Sequence, residues 1–356
     1  LIENTSPMST FFAGEQDAVQ LNDEVRRVEK LERRQWTPEQ AEQMVDDLTE
    51  FLRQPRGEQR LRPAQAVALA EIGMYGGLFG PIRVGAGKTL VTLLAPVVAE
   101  AKRPLLVIPA KLRDKTQRDQ AELSRHWRLP ELRVMTYEWL GRVQAADALG
   151  EYQPDLIIFD EAHRIRNRRA AVTRRVLRYL RDRPGTKCVF LSGTATKRSL
   201  LDYAHMLRAS LGEDKMPVPK TYNDLEAWAD ALDERKGQVK RVDPGALQVF
   251  CDDDELRQWY SGDDRVAARR GFRRRLIDTP GVVATQESLV DASIVMRRMD
   301  PPVSPAVDAA FERLRKMWET PDGWPLADGL EIYRHAREMA LALYYVWDPR
   351  PPRPWL

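Results

Sequence analysis

Four short apolar runs constrain this chain more than any other feature. They are Leu105-Leu106-Val107-Ile108, Leu132-Arg133-Val134-Met135, Leu156-Ile157-Ile158-Phe159 and Cys188-Val189-Phe190-Leu191, with helical stretches between them. A strand that is apolar on both sides must be covered on both faces, and strands that alternate with helices pair in parallel. The expected fold class is therefore α/β, a parallel sheet sandwiched by helices. One more strand is expected just before residue 82. Its sequence, Gly76-Gly77-Leu78-Phe79-Gly80-Pro81, is a poor strand former, with three glycines and a proline.

Two strings sit where such a sheet presents its loops. Gly85-Ala86-Gly87-Lys88-Thr89 leads into Leu90-Val91-Thr92-Leu93-Leu94, a helical continuation. A glycine-rich turn lets backbone N–H groups approach a polyphosphate, and the positive end of the following helix adds to the attraction. In that setting Lys88 reaches the outer phosphates and the Thr89 hydroxyl binds Mg²⁺. The usual spacing of such loops wants a glycine at position 82, which is Ile82 here. Downstream, Pro154-Asp155-Leu156-Ile157-Ile158-Phe159 delivers Asp160 and Glu161 to a strand's C-terminal end, where α/β sheets bind ligands. Asp160 is the expected Mg²⁺ partner, through water, and Glu161 the base that orients and deprotonates an attacking water. His163 either couples this turn to the strand ending in Ser192-Gly193-Thr194 or simply caps it.

Composition limits the other possibilities. The 356 residues suffice for more than one core, and 31% of them are charged with a net charge of only +3. Nucleic-acid binding would need local patches and not a global polycation. Two cysteines, Cys188 and Cys251, make neither a disulfide framework nor a zinc site, which suggests a reducing compartment. No apolar run reaches the roughly 18 residues needed to span a membrane. The start lacks both Met and a signal-peptide pattern, Met8 is a possible native start, and Asp348-Pro349-Arg350-Pro351-Pro352 reads like a linker. A fragment is therefore expected.

Taken in order, the motifs resemble the superfamily-two helicases and translocases of the DEAH-box type, in their Swi/Snf-like branch. Leu61-Arg62-Pro63-Ala64-Gln65 is similar to the adenine-sensing element, and Ile82 to Thr89 to motif I. Leu106-Val107-Ile108-Pro109-Ala110-Lys111-Leu112 is similar to motif Ia, and Met135-Thr136-Tyr137-Glu138-Trp139-Leu140 to motif Ib. Asp160-Glu161-Ala162-His163-Arg164-Ile165-Arg166-Asn167 corresponds to motif II and Leu191-Ser192-Gly193-Thr194-Ala195-Thr196 to motif III. The resemblance implies a RecA-like P-loop NTPase lobe over 61–213, after a helical segment over 1–60. A mixed, basic insertion or inter-lobe segment follows over 214–300, then a helical linker over 301–356. It implies ATP and Mg²⁺ as cofactors, with Gln65 on adenine, aided by Arg62. Gly85, Ala86, Gly87, Lys88 and Thr89 would hold the phosphates. DNA, in double-stranded form, is the implied partner, with accessory subunits as a further option and the cytoplasm as the setting. Lys111, Thr136 and Tyr137 are expected at the nucleic-acid backbone, and His163, Ser192, Gly193 and Thr194 in coupling. The family's arginine fingers come from a second lobe, and no matching string follows residue 213. Slow turnover by this chain alone is therefore expected.

Two basic segments carry alternative readings. In the stretch after the carboxylate pair, helical spacing puts Arg174, Arg175, Arg178 and Arg181 opposite Val172, Val176, Leu177 and Leu180. That face either tracks phosphates or is a solvated exterior. The densest cluster is Arg265, Arg269, Arg270, Arg273, Arg274 and Arg275. Here Arg273 and Arg274 are expected either at DNA or against an internal partner such as Asp252–Glu255. Three functions stay open: a DNA helicase or translocase motor, the motor subunit of a restriction or phage-packaging system, and a catalytically silent, nucleotide-gated binding module.

Overall fold

A computed structural model of the chain describes residues 18–34, 36–83, 85–193, 199–233, 242–285 and 304–340. The chain forms two compact units, which divide between Leu289 and Val290.

In the first unit the elements run α1 (Asp23–Lys30), α2 (Pro38–Leu52), α3 (Pro63–Tyr75), β1 (Leu78–Gly80), α4 (Lys88–Val98), β2 (Pro104–Ile108) and α5 (Arg113–Leu123). After these come β3 (Arg133–Thr136), α6 (Tyr137–Leu140), α7 (Ala148–Tyr152), β4 (Leu156–Asp160), α8 (Ala171–Asp182) and β5 (Lys187–Leu191). The unit closes with α9 (Ala204–Leu211), α10 (Tyr222–Leu232), α11 (Asp253–Gln258) and α12 (Asp264–Ile277). The five strands form one sheet in the order β1-β5-β4-β2-β3, and every pair is parallel. The fold is α/β, with helices on both sides of the sheet.

Strand alternation sorts the apolar runs between two cores. Leu105, Val107, Ile157, Phe159, Cys188 and Phe190 face one way, toward residues of α1, α8, α9, α10 and α12. Leu106, Ile108, Leu156, Ile158, Val189 and Leu191 face the other way, toward α2, α3 and α4. This double coverage is what makes the runs continuous in sequence.

The weak first strand exists, but it is three residues long. Its glycines answer to crowding: a Cβ on Gly77 would lie 2.1 Å from the Ser210 carbonyl oxygen. A segment far along the chain reinforces it. Phe79 N–H donates to the Gly281 carbonyl at 2.8 Å, and Val283 N–H donates to the Phe79 carbonyl at 3.1 Å. Residues after α12 thus return to the outer edge of β1. A buried ion pair holds that return in place. Arg34 donates to both Glu71 and the Val282 carbonyl, while the fully buried Glu71 also accepts from Gly281 N–H at 2.7 Å.

The arginine cluster of α12 serves mostly as an internal clamp. Arg275 is buried, and its guanidinium donates to the Val28 and Leu31 carbonyls at 2.8 Å and to Thr279 Oγ1 at 3.2 Å. Burial pushes its pKa down to about 10. Arg265 donates to the Asp230, Ala231 and Val242 carbonyls, and Arg269 to that of Leu232. Arg274 pairs with Asp252 and Glu255. Of the two partners expected for Arg274, the structure thus shows the internal one. Arg273 is exposed. On α8 the buried stripe is Thr173, Val176 and Tyr179, with Arg174, Arg178 and Arg181 exposed.

In the second unit the described elements are α13 (Pro305–Glu312), a π turn over Arg313–Met317, and α14 (Gly329–Ala340). Between the last two, Glu319 and Pro325 form an antiparallel bridge. Among the described residues, no helix is long and apolar enough to cross a membrane.

Candidate nucleotide site

The turn after β1 and the turn after β4 both open at the C-terminal edge of the sheet. In the first, Gly87 caps α4 with φ 78° and ψ 34°, a left-handed conformation that costs a side-chain-bearing residue more. A Cβ there would also lie 2.1 Å from Gln65 Nε2. Lys88 and Thr89 then occupy the first turn of an 11-residue helix, where free N–H groups and the helix dipole favour an anion. Lys88 is largely buried, and its ammonium donates to the Arg83 carbonyl at 3.2 Å. The lysine is thus folded onto its own loop. Gly85 is exposed, Ala86 buried and Thr89 half-buried.

Two residues of α3 brace this loop. Arg62 donates to the Gly85 carbonyl at 2.8 Å, and Gln65 Nε2 to the Gly87 carbonyl at 3.1 Å. Gln65 Oε1 meanwhile accepts from Arg62 N–H at 2.8 Å, as Gln40 Oε1 does from Thr37 N–H at 2.9 Å. Each Gln is the third residue of its helix, following Pro at the first position. The capping role of Gln65, though not its bond to the loop, was therefore signalled by a repeated local pattern, Thr37-Pro38-Glu39-Gln40 and Arg62-Pro63-Ala64-Gln65.

Around the second turn, Asp160 closes β4 and Glu161 turns left-handed, with φ 55° and ψ 47°. A non-glycine residue in that region is strained. Glu161 N–H donates to Asp160 Oδ1 at 3.0 Å, and the Tyr137 hydroxyl donates to the Asp160 carbonyl at 2.7 Å. Burial raises the pKa of the Asp160 carboxyl, with the Glu161 carboxylate adding to the rise and the Lys88 ammonium opposing it. A cation beside Asp160 relieves that cost. Among the described residues no three His, Cys, Asp or Glu side chains cluster as a metal cage. The donors present, Asp160 and the Thr89 hydroxyl, suit Mg²⁺, which keeps most of its water and shares phosphate oxygens.

His163 Nδ1 lies 3.2 Å from Glu161 Oε2 and 3.2 Å from Ser192 Oγ. Burial lowers its pKa, with the Glu161 carboxylate opposing. A neutral ring carrying its proton on Nδ1 donates toward the carboxylate; the tautomer is assigned from this geometry. Ser192 is buried, and its N–H donates to the Gly80 carbonyl at 3.1 Å. Glu161, His163 and Ser192 thus join the ends of β4, β5 and β1. Gly193 follows directly, while Thr194 lies outside the described residues.

The residues expected at nucleic acid separate. Lys111 is exposed. Thr136 and Tyr137 are buried, and neither presents its hydroxyl to a surface. Thr136 Oγ1 accepts from Trp139 N–H at 3.1 Å and caps α6, while the Tyr137 hydroxyl is bonded to the turn of Asp160. Of the three, only Lys111 is placed where an external partner could reach it. Sequence reasoning missed Glu138, whose Oε2 accepts from Ala110 N–H at 2.9 Å and whose Oε1 lies 3.9 Å from Arg164 Nη1. This residue ties the loop after β2 to the turn after β4.

No known protein family matches the sequence, and no curated protein matches it. Among solved structures, the chain is similar to a Sulfolobus solfataricus SWI2/SNF2 ATPase core in complex with dsDNA, at TM-score 0.41 and 16% identity. The similarity covers 65% of this chain and 45% of that one, so it spans less than half the length of that protein.

Proposed function

We propose that this chain carries the nucleotide-binding lobe of an ATP-dependent DNA translocase or helicase motor. The observation that carries the reading is a convergence at one sheet edge. A left-handed glycine opens α4 on Lys88 and Thr89, and β4 ends nearby on Asp160 and a strained Glu161. In this proposal the N–H groups of the loop and Lys88 bind the phosphates, and Thr89 and Asp160 hold Mg²⁺. When bound, Mg²⁺ neutralises charge on the phosphates as it develops. Glu161 orients the attacking water and takes its proton, and His163 steadies the Glu161 carboxylate. Arg62 and Gln65 keep the loop in shape and leave Gln65 able to sense the base.

DNA, in double-stranded form, is the proposed partner, reached from the loop carrying Lys111 and from the exposed arginines of α8 and Arg273. Hydrolysis by the chain alone is expected to be slow, because the resemblance assigns the arginine fingers to another lobe. The test is ATP hydrolysis measured with and without duplex DNA. Stimulation that disappears as salt rises supports the reading, since phosphate contacts release counterions. An ATPase indifferent to every nucleic acid contradicts the motor assignment.

A further inference from the structure

The peptide joining Asp160 to Glu161 is held at both ends. Its N–H donates to Asp160 Oδ1 at 3.0 Å, and its carbonyl accepts from Tyr137 at 2.7 Å. Beyond it, Glu161 sits at φ 55°, where a side-chain-bearing residue costs roughly 1–2 kcal/mol. Rotating this one peptide by half a turn would carry Glu161 back toward negative φ and relieve the strain. The same rotation would swing the carbonyl away from Tyr137 and the N–H away from Asp160 Oδ1, freeing the turn that carries the Glu161 side chain to relax. The Tyr137 hydroxyl is therefore a latch on a strained turn.

The latch is itself firmly placed. Tyr137 is buried, and its ring stacks on Phe159 with centroids 6.5 Å apart. Phe159 in turn stacks on Phe190 at 4.8 Å, so the ring rests on side chains of β4 and β5. Burial, with the nearby Asp160 and Glu161 carboxylates, raises the phenol pKa well above its usual 10. The group thus remains a donor throughout the working pH range. Next in sequence, Glu138 accepts from Ala110 N–H in the loop that presents Lys111.

We propose that Tyr137 is a positioning residue for hydrolysis: its hydroxyl holds the Asp160–Glu161 peptide, and with it the strained turn that carries the Glu161 carboxylate, in the arrangement that hydrolysis uses. This rests on Glu161 being the hydrolytic base. Tyr137 touches neither nucleotide nor water in this scheme and acts only through the turn.

The experiment compares wild type, Tyr137→Phe and Glu161→Gln for single-turnover hydrolysis of Mg·ATP, nucleotide affinity and thermal unfolding. Tyr137→Phe is expected to slow hydrolysis about tenfold or more, since a misaimed base forfeits much of its effect. Nucleotide affinity should stay within about twofold, because the phosphate loop is untouched. A hydroxyl with a merely structural role would lower the unfolding temperature and leave the rate per folded molecule unchanged. That result overturns the proposal. If Glu161→Gln leaves hydrolysis intact, the assignment of the base fails first. If Glu161→Gln abolishes hydrolysis while Tyr137→Phe matches wild type, only the latch fails. Should Tyr137→Phe not fold, Tyr137→4-fluorophenylalanine and Tyr137→4-aminophenylalanine fill similar space, one without and one with a donor. Activity only in the donor-bearing variant supports the latch, and equal activity in both overturns it.

Discussion

The two polar regions of the first unit use their charges in opposite ways. At the C-terminal edge of the sheet, Lys88, Asp160, Glu161 and His163 are few, partly buried and bound chiefly to one another's turns. On α12 the arginines are dense, yet Arg265, Arg269, Arg274 and Arg275 bond to backbone carbonyls and carboxylates of the same chain. The first arrangement leaves charges imperfectly satisfied and strains a backbone, which are marks of a site. The second satisfies its charges and joins α1, α10 and α12 into one body. Charge density along the sequence is therefore a poor guide to where a ligand binds.

The contrast predicts that variants of α12 lose stability without touching nucleotide binding, and that variants of the sheet edge lose binding without losing stability. The largest effect is expected for Arg275→Leu. It leaves the Val28 and Leu31 carbonyls buried without a donor, at a cost of roughly 4 kcal/mol in denaturant unfolding. Nucleotide affinity, measured on the folded fraction, should not change. A clear loss of affinity would make α12 part of the site.

His205 offers a pH test of the packing beside the carboxylate turn. Its Nε2–H donates to the Ile165 carbonyl at 2.9 Å, and burial pushes its pKa down to about 4 from an ordinary 6.5. The folded state holds this ring neutral, so its contribution is complete above pH 6.5 and is lost as pH falls toward 4. The full loss is roughly 3 kcal/mol. His205→Leu should flatten stability against pH in that window by about one proton, whatever it does to absolute stability. An unchanged slope contradicts the assignment.

At the sheet edge, Lys88→Ala should weaken Mg·ATP binding about a hundredfold with little change in unfolding temperature, as read by titration of a fluorescent nucleotide. Asp160→Asn sharpens the same point with a smaller effect. The raised carboxyl pKa makes ionised Asp160 a liability above that pKa and none below the unfolded value. The variant should therefore unfold at a higher temperature at pH 7, gain nothing below pH 3, and lose Mg²⁺-dependent binding. The smallest effect belongs to Arg274→Ala. Its pairs with Asp252 and Glu255 are partly exposed and are worth about 1 kcal/mol or less.

Much of the scaffold was legible because its signals are local. Continuous apolar runs gave the strands, and Thr37-Pro38-Glu39-Gln40 gave the start of α2. The return of residues 281–283 to β1 was not legible, since one bridge and the pair of Arg34 with Glu71 leave no periodic trace in sequence. At the candidate site, the residue types and their order were readable, but their connections were not. That Gln65 braces the phosphate loop, that Tyr137 faces inward to Asp160, and that Glu138 links two loops all depend on side chains meeting across strands. The left-handed turn at Glu161 had no glycine to announce it.

The central claim is tested most directly by single-turnover hydrolysis of Mg·ATP, with wild type and Glu161→Gln compared at saturating protein. The account predicts that both proteins bind the nucleotide with similar affinity and that only wild type releases phosphate, slowly but measurably. Equal phosphate release by the two would contradict it.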